Sequence, residues 1–434
     1  MSDVRDQAAG NHAAENRAAE NRAAENRAAE NRAAGDRAAG SQAVRDQAAG
    51  SRAAGRRWAL VAAVSLARVA FGYQFQSLAS LGPELLERFG LGYAALGGLI
   101  GLYMAPGILV ALPGGLLGRR YGERLVVGGG LALMTLGAML CAGAGGPAGI
   151  GAGRALAGAG AVMLVVMQGK MIGDRFPGKA FLPVMGLVVG AFPVGVGLVE
   201  LTHGPVVRAL GWPGMFAVGA GLSALALLLF LASAERAHPD AGPAWALPSR
   251  RECGLVMVAG VMWTAYNAGY YGFLSYMPSV LAARGHSPGL LALVLTVATW
   301  CNLPATVLGG ALAARFGNRP VFLAGTAAGV LAVAGPAVLD WPLLWGLLFG
   351  TVASLHAGVI IGIGTLSARP ENRAVGMGLF YAIYYAGGAL LPAMCGRAAD
   401  LAGDPAGALV AAAMLSAVAV PAFMLHGFLS RRPA

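Results

Sequence analysis

The sequence predicts an all-α membrane protein of about twelve transmembrane helices, arranged as two six-helix pseudo-repeats. Three observations carry this expectation. Apolar runs of membrane-spanning length recur along most of the chain, basic residues collect in every second loop, and one stretch of sequence returns after a fixed interval.

The runs come first. The 434 residues are 57% hydrophobic and only 12% charged, about half the charge a soluble chain carries. That leaves too few charges to coat a soluble surface, whereas ~20 apolar residues cross one bilayer core. Spans are predicted over 58–81, 92–114, 125–145, 147–168, 181–203 and 211–232, then over 254–278, 289–313, 320–339, 341–366, 374–396 and 405–428. Between the two sets lies the polar, proline-bearing stretch 233–253, read as a linker. The expected parts are therefore a tail over 1–57, a six-helix bundle over 58–232, the linker, and a second bundle over 254–434.

The tail repeats AAENR from Ala13 to Arg32 and then decays into AAGDR and AAGSQ. A five-residue period gathers no apolar face on a helix, so the tail reads as low complexity. No cleavable leader is expected, because the first apolar run starts only near Trp58.

The charges set an orientation. The net charge of +11 would suggest nucleic acid in a soluble protein, but here the cations sit in short loops between apolar runs. One set of loops holds Arg56, Arg57, Arg119, Arg120, Arg124, Lys170, Arg175, Lys179, Arg236, Arg250, Arg251, Arg315, Arg319, Arg369, Arg373, Arg431 and Arg432. The alternate loops hold only Arg88, Arg208, Arg284 and Arg397. The positive-inside rule places the first set, the linker and both termini in the cytoplasm. The four cysteines stand singly with no metal-ligand spacing, so neither a metal site nor a disulfide framework is expected.

The repeat gives the topology. Gly115–Arg124 reads GLLGRRYGER, and Gly310–Arg319, 195 residues later, reads GALAARFGNR. The same interval pairs Pro83 with Pro278 and Gly90 with Gly285. A constant shift of this kind implies two halves of like topology, a parallel repeat.

This pattern resembles the major facilitator superfamily over nearly all of residues 58–430. The family's loop signature, roughly G-x-L-x-D-R-x-G-R-R, is matched by Gly115, Leu117, Arg120, Gly122 and Arg124, and again by Gly310, Leu312, Arg315, Gly317 and Arg319. Its acid is replaced by Arg119 and Ala314. The resemblance implies that these residues are parts of a gate rather than a solute site. Tyr266–Pro278, YNAGYYGFLSYMP, with Arg68 midway along the first span, is similar to the cyanate and nitroimidazole porters, which handle small, often anionic solutes; nitrate and nitrite porters are a related group. The family default is a monomer in the cytoplasmic membrane, with no bound cofactor.

Individual residues sharpen the expectation. Arg68 lies near the middle of its span, where an arginine costs at least ~2.5–3.5 kcal/mol and survives only against a wet cavity or a partner. Phe71 and Phe75 share its helical face, as does Gly72. Arg154, in GAGRALAGAG, either binds an anion, assists coupling, or pairs structurally. Gly190–Gly197, GAFPVGVG, reads as a bend with close packing. Asn267, Tyr270 and Tyr271 lie on one side of the seventh helix by their spacing, and Tyr381, Tyr384 and Tyr385 on one side of the eleventh; both sets are candidates to line a cavity. His356, mid-way in the tenth span, and Glu200, near the outer end of the fifth, are the candidate titrating groups for coupling. Deep charges that are arginines favour anions over cations. The sum is a secondary transporter of a small anionic solute working by alternating access between two halves. A membrane-embedded enzyme or sensor would need a converging catalytic set, and an exporter of cationic drugs would need a buried acid in the cavity.

Overall fold

The computed structural model describes residues 54–234, 248–369 and 372–431. Most of the tail and residues 235–247 of the linker lie outside the described residues. Of residues 1–59 the structure describes only a helical stretch from Ala54, and residues 60–434 form one compact unit.

The first half is built from α1 (Ala54–Ser80), α2 (Gly82–Phe89), α3 (Tyr93–Gly101), α4 (Pro106–Ala142), α5 (Pro147–Arg175), α6 (Phe181–Leu210) and α7 (Pro213–Ser233). The second holds α8 (Arg250–Ala283), α9 (Pro288–Trp300), α10 (Asn302–Phe316), α11 (Asn318–Ala334), α12 (Pro342–Gly350), α13 (Ala357–Leu366), α14 (Arg373–Ala402), α15 (Ala406–Ala417) and α16 (Ala419–Arg431). Several of these helices open on a proline, which fits the first turn because its missing N–H has no intrahelical partner there. The fourth and fifth spans run on to Arg175 and Leu210, past their predicted ends.

Among the described residues, eleven helical stretches are long and apolar enough to cross a membrane. α8 is not one of them, although its 34 residues make a rod of about 50 Å. Its polar aromatics and Asn267 lower its hydropathy, yet Ala265 and the run from Asn267 to Leu281 are buried. It packs on α14, α15 and α16, so its polar groups face protein and not lipid.

The internal repeat is written in the backbone. Gly122 (φ 76°) and Gly317 (φ 88°) hold left-handed turns at matching places in the two halves, and Gly90 (φ 61°) and Gly285 (φ 75°) hold another matched pair. A side chain at any of the four would be strained. At Gly122 the break (φ 76°, ψ 159°) splits α4 into the second and third spans.

The tenth predicted span, 341–366, is found as the apolar stretch Pro342–Leu366, with a turn inside it. A 3₁₀ turn over Val352–Ser354 separates α12 from α13, and His356 caps the second piece.

The two halves meet at the end of the bundle away from the termini. A Cβ on Gly97 would lie 2.2 Å from the Pro392 carbonyl oxygen, and one on Gly101 2.1 Å from that of Ala389, so α3 and α14 touch backbone to backbone. Tyr276 Oη donates to Pro392 O at 2.5 Å. Asp400 on α14 accepts from the Tyr93 N–H (2.7 Å) and the Ala94 N–H (3.0 Å), the first free donors of α3. Glycine at position 92 supplies no cap of its own, and the carboxylate from the other half takes that place.

Candidate functional site

The candidate site forms where α1, α6 and the turn between α3 and α4 of the first half approach α8 and α14 of the second. Arg68 is 8% exposed. Its guanidinium carbon lies 5.2 Å from the Phe71 ring centre and 5.3 Å from that of Phe192 on α6, near enough for cation–π attraction. The Tyr381, Tyr384 and Tyr385 hydroxyls of α14 lie within its electrostatic reach. Its Nε is buried and without a hydrogen-bond partner. No acid pairs with it among the described residues.

The walls are aromatic and come from both halves. Phe75 sits 5.3 Å from Tyr271 and 5.9 Å from Phe192, ring centre to centre. Tyr103 stacks on Phe71 at 5.7 Å. Tyr271 donates from its hydroxyl to that of Tyr384. Gly72 makes this arrangement reachable, because a Cβ there would lie 2.2 Å from the Phe192 carbonyl oxygen. α1 and α6 can therefore touch, which brings Phe192 over Arg68. The result is a buried cation in an aromatic box, with a donor aimed at no protein acceptor.

Arg154 stands close by but is spent differently. It is 2% exposed and lies under the Tyr103 ring at 4.4 Å. It donates to the carbonyls of Gln74 (2.5 Å), Phe75 (3.4 Å), Leu99 (3.4 Å) and Ile100 (3.2 Å). The cause is local. The chain breaks between α3 and α4, so the Tyr103 N–H bonds Ile100 O instead of Leu99 O, and Arg154 takes up the carbonyl left over. Of the roles the sequence left open for it, the geometry supports structural pairing.

The profile of the Major Facilitator Superfamily matches residues 64–392, more than half of the chain. The chain belongs to the major facilitator superfamily. Among curated proteins it is similar to the 3-(3-hydroxy-phenyl)propionate transporter of Escherichia coli (strain K12), 25% identical over 348 residues, which is 76% of this chain and 82% of that one. Among solved structures it is similar to a bacterial homologue of the human lysosomal transporter Spinster, in an inward-facing and unoccupied conformation (TM-score 0.68, 15% identity, 87% of this chain and 97% of that one). It is also similar to the nucleoside transporter NupG (TM-score 0.66, 12% identity, 86% and 99%).

In this superfamily member the predicted site residues divide. Arg68, Phe71, Phe75, Tyr271, Tyr381 and Tyr384 come together around the box. Asn267 does not join them: its Nδ2 donates to the Trp263 carbonyl one turn back, at 2.8 Å. Tyr270 turns to Phe349, 5.7 Å away, and lines a cavity of about 20 Å³ with His356, room for one water. His356 is 2% exposed and stands edge-on to Tyr266 and Phe322, and its Nδ1 has no partner. Glu200, read from sequence as peripheral, is 3% exposed; Gln76, Ser80 and Glu84, more than a hundred residues earlier, fold over it. Phe192, Tyr103 and Tyr385 complete the box. Phe192 was hidden in the glycine-rich GAFPVGVG stretch, whose bend drew the reading instead.

The loop motif is structural where it is described. Gly122 and Gly317 make its turns. Arg124 donates to Leu231 O at 3.1 Å, and Arg315 lies 5.3 Å from the Phe316 ring centre. Gly310 and Arg319 are exposed, while the surroundings of Gly115 and Arg120 lie outside the description. Beside Gly122, Glu123 accepts from Arg175 Nη1 at 3.1 Å and from Nη2. The pair ties the end of α5 to the break in α4.

Proposed function

We propose that this membrane transporter carries a small organic anion, with an aromatic carboxylate the best-fitting class. The observation behind the reading is Arg68: a buried guanidinium, without an acid partner, walled by phenyl and phenol rings. A planar fork of donors suits a carboxylate, and stacked or edge-on rings suit an aryl group. The named relative's solute, an aryl propionate, has this chemistry. The resemblance of Tyr266–Pro278 to the cyanate and nitroimidazole porters supports small anions more broadly. A small inorganic anion is therefore the second reading; it would use Arg68 and leave the rings with only steric work.

On this reading, alternating access is a rocking of the bundles 58–232 and 254–434 about the box. The contacts named between α3 and α14 close the end away from the termini. With both termini and the linker in the cytoplasm, the conformer described is shut toward the outside of a cytoplasmic membrane. The working unit is a monomer without a cofactor. A cation exporter fits poorly, since the charge in the box is positive. An enzyme fits poorly too, as the box offers no nucleophile paired with a base.

The test is counterflow in liposomes holding the purified full chain. Labelled 3-phenylpropionate and benzoate should exchange, cyanate and nitrite should exchange weakly, and an aryl amine should not exchange. Exchange of the amine with none of the anions would overturn the proposal. Exchange of cyanate or nitrite without the aryl carboxylates would leave the second reading.

A further inference from the structure

Away from the box, at the closed end, lies a cavity of about 320 Å³ lined by Glu84, Glu200, His203, Arg208 and His286 among others. From it an unbroken hydrogen-bond chain runs inward. Glu84 Oε1 is 2.9 Å from His203 Nε2. His203 Nδ1 is 2.9 Å from Ser80 Oγ. Ser80 Oγ donates to Glu200 Oε2 at 3.1 Å. Gln76 Nε2 donates to Glu200 Oε1 at 2.9 Å and, with its other hydrogen, to the Leu274 carbonyl at 3.1 Å. The chain begins at Glu84, 39% exposed, and ends on α8, in the other half.

The surroundings of Glu200 leave it without a fixed counter-charge. Facing it from α1 are Gln76, Ser80 and the Tyr73 hydroxyl, which is bonded to Thr202 at 3.0 Å. Glu84 faces it from α2, His203 from α6, and Leu274 O from α8. Arg208 and His286 line the outer part of the cavity, and His286 is paired with Asp340 at 2.8 Å. Among the described residues no lysine or arginine reaches salt-bridge distance of Glu200.

We infer that Glu84, His203, Ser80 and Glu200 form a proton path, and that Glu200 is the proton-binding group coupled to the contact between the halves. The inference deepens the transport reading and rests on it for one of its two tests. An imidazolium at His203 donates from both nitrogens, to Glu84 and to Ser80 Oγ. As its Nδ1–H bond breaks, that proton joins Ser80 Oγ, while the Ser80 O–H proton passes to Glu200 Oε2. The products are a neutral imidazole, a regenerated hydroxyl and a neutral carboxyl. The consequence falls on Gln76. A carboxylate holds an amide donor about twice as strongly as a neutral acceptor does. Proton arrival loosens Gln76, the same amide that bridges to Leu274 O, and so loosens the closed end.

The first test needs no transport. A pH-induced infrared difference spectrum of the purified full chain should show a carboxyl C=O band that grows as the pH is lowered, absent from Glu200→Gln. Identical spectra would overturn the assignment. After a pH jump, Ser80→Ala should show the same band, arriving about 100-fold more slowly; an unchanged rate would overturn the path. The second test uses liposomes with 3-phenylpropionate. Glu200→Gln should keep exchange and lose accumulation driven by a proton gradient. Accumulation that survives in Glu200→Gln overturns the coupling role. A wild type that exchanges no aryl carboxylate counts against the proposed solute instead, and the infrared result then decides the proton path by itself.

Discussion

Replacing Arg68 and replacing Arg154 should give opposite outcomes, although both are buried arginines a few residues apart in space. Arg68 keeps an unpartnered Nε, and its protein contacts are two cation–π approaches, each ~0.5–2 kcal/mol. Arg68→Ala forfeits these but also removes a desolvated charge that costs several kcal/mol, so thermal stability should hold or rise. Its loss falls on the solute. Two charge-assisted bonds to a carboxylate are worth ~1.5–3 kcal/mol each, part of which entering water recovers, leaving a loss of affinity of about 100-fold or more. Arg68→Lys keeps the charge without the fork, so the loss should be smaller. Arg154 spends its donors on four carbonyls and is among the largest fully buried side chains. Arg154→Met leaves those carbonyls unsatisfied, at about 1–3 kcal/mol for each that water does not reach, so it should lower stability. Isothermal titration with 3-phenylpropionate and thermal unfolding of the purified forms provide the comparison. An Arg68→Ala form that binds as wild type does, or that unfolds as readily as Arg154→Met, would refute the reasoning.

Other expectations follow from the same geometry. Gly101→Leu puts a branched side chain where even a Cβ would lie 2.1 Å from Ala389 O, so the end away from the termini should stay open, read as raised labelling of a cysteine placed at Ala94. Glu252, which opens α8, accepts from the N–H groups of Arg369 and Ser249, then from Asn372, and these bonds hold its carboxyl down at about 2 against an ordinary 4.5. A lowered folded-state value stabilises above the unfolded one, so this contribution should be full above about pH 4.5 and fade toward pH 2; in Glu252→Gln the fall in melting temperature over that range should be smaller than in the wild type. A reporter fused after Ala434 should be active in the cytoplasm, and activity only in the periplasm would reverse the orientation.

The spans and the repeat were legible because both rest on local chemistry: apolar length sets a crossing, and a turn needing left-handed backbone keeps its glycine in both halves. Arg68 was legible for the same reason, since a mid-span guanidinium is costly wherever the fold puts it. The roles of Arg154 and Glu200 were not. Arg154 depends on a broken helix at Leu102–Ala105, which exposes a carbonyl that no pattern in the α3 sequence announces. Glu200 depends on residues of α1 and α2 that reach it only after the half-bundle closes. Asn267 shared a helical face with useful neighbours, but spacing says nothing about an amide that bonds back to its own helix. The turn inside the tenth span was not legible, because the composition stays apolar through Val352–Ser354 and nothing in hydropathy marks the break before His356.

The Asp400 cap ties large motion to local order. α3 starts at a glycine and borrows its first hydrogen-bond acceptor from the opposite half, so whenever the halves part at that end, the first turn of α3 loses its cap. A missing cap costs a helix about 0.5–2 kcal/mol, enough to fray a turn that begins on Gly92. The amide protons of Tyr93 and Ala94 would then exchange with solvent only during the open phase. Their exchange rates would report how often this end opens, with no label attached and no solute present.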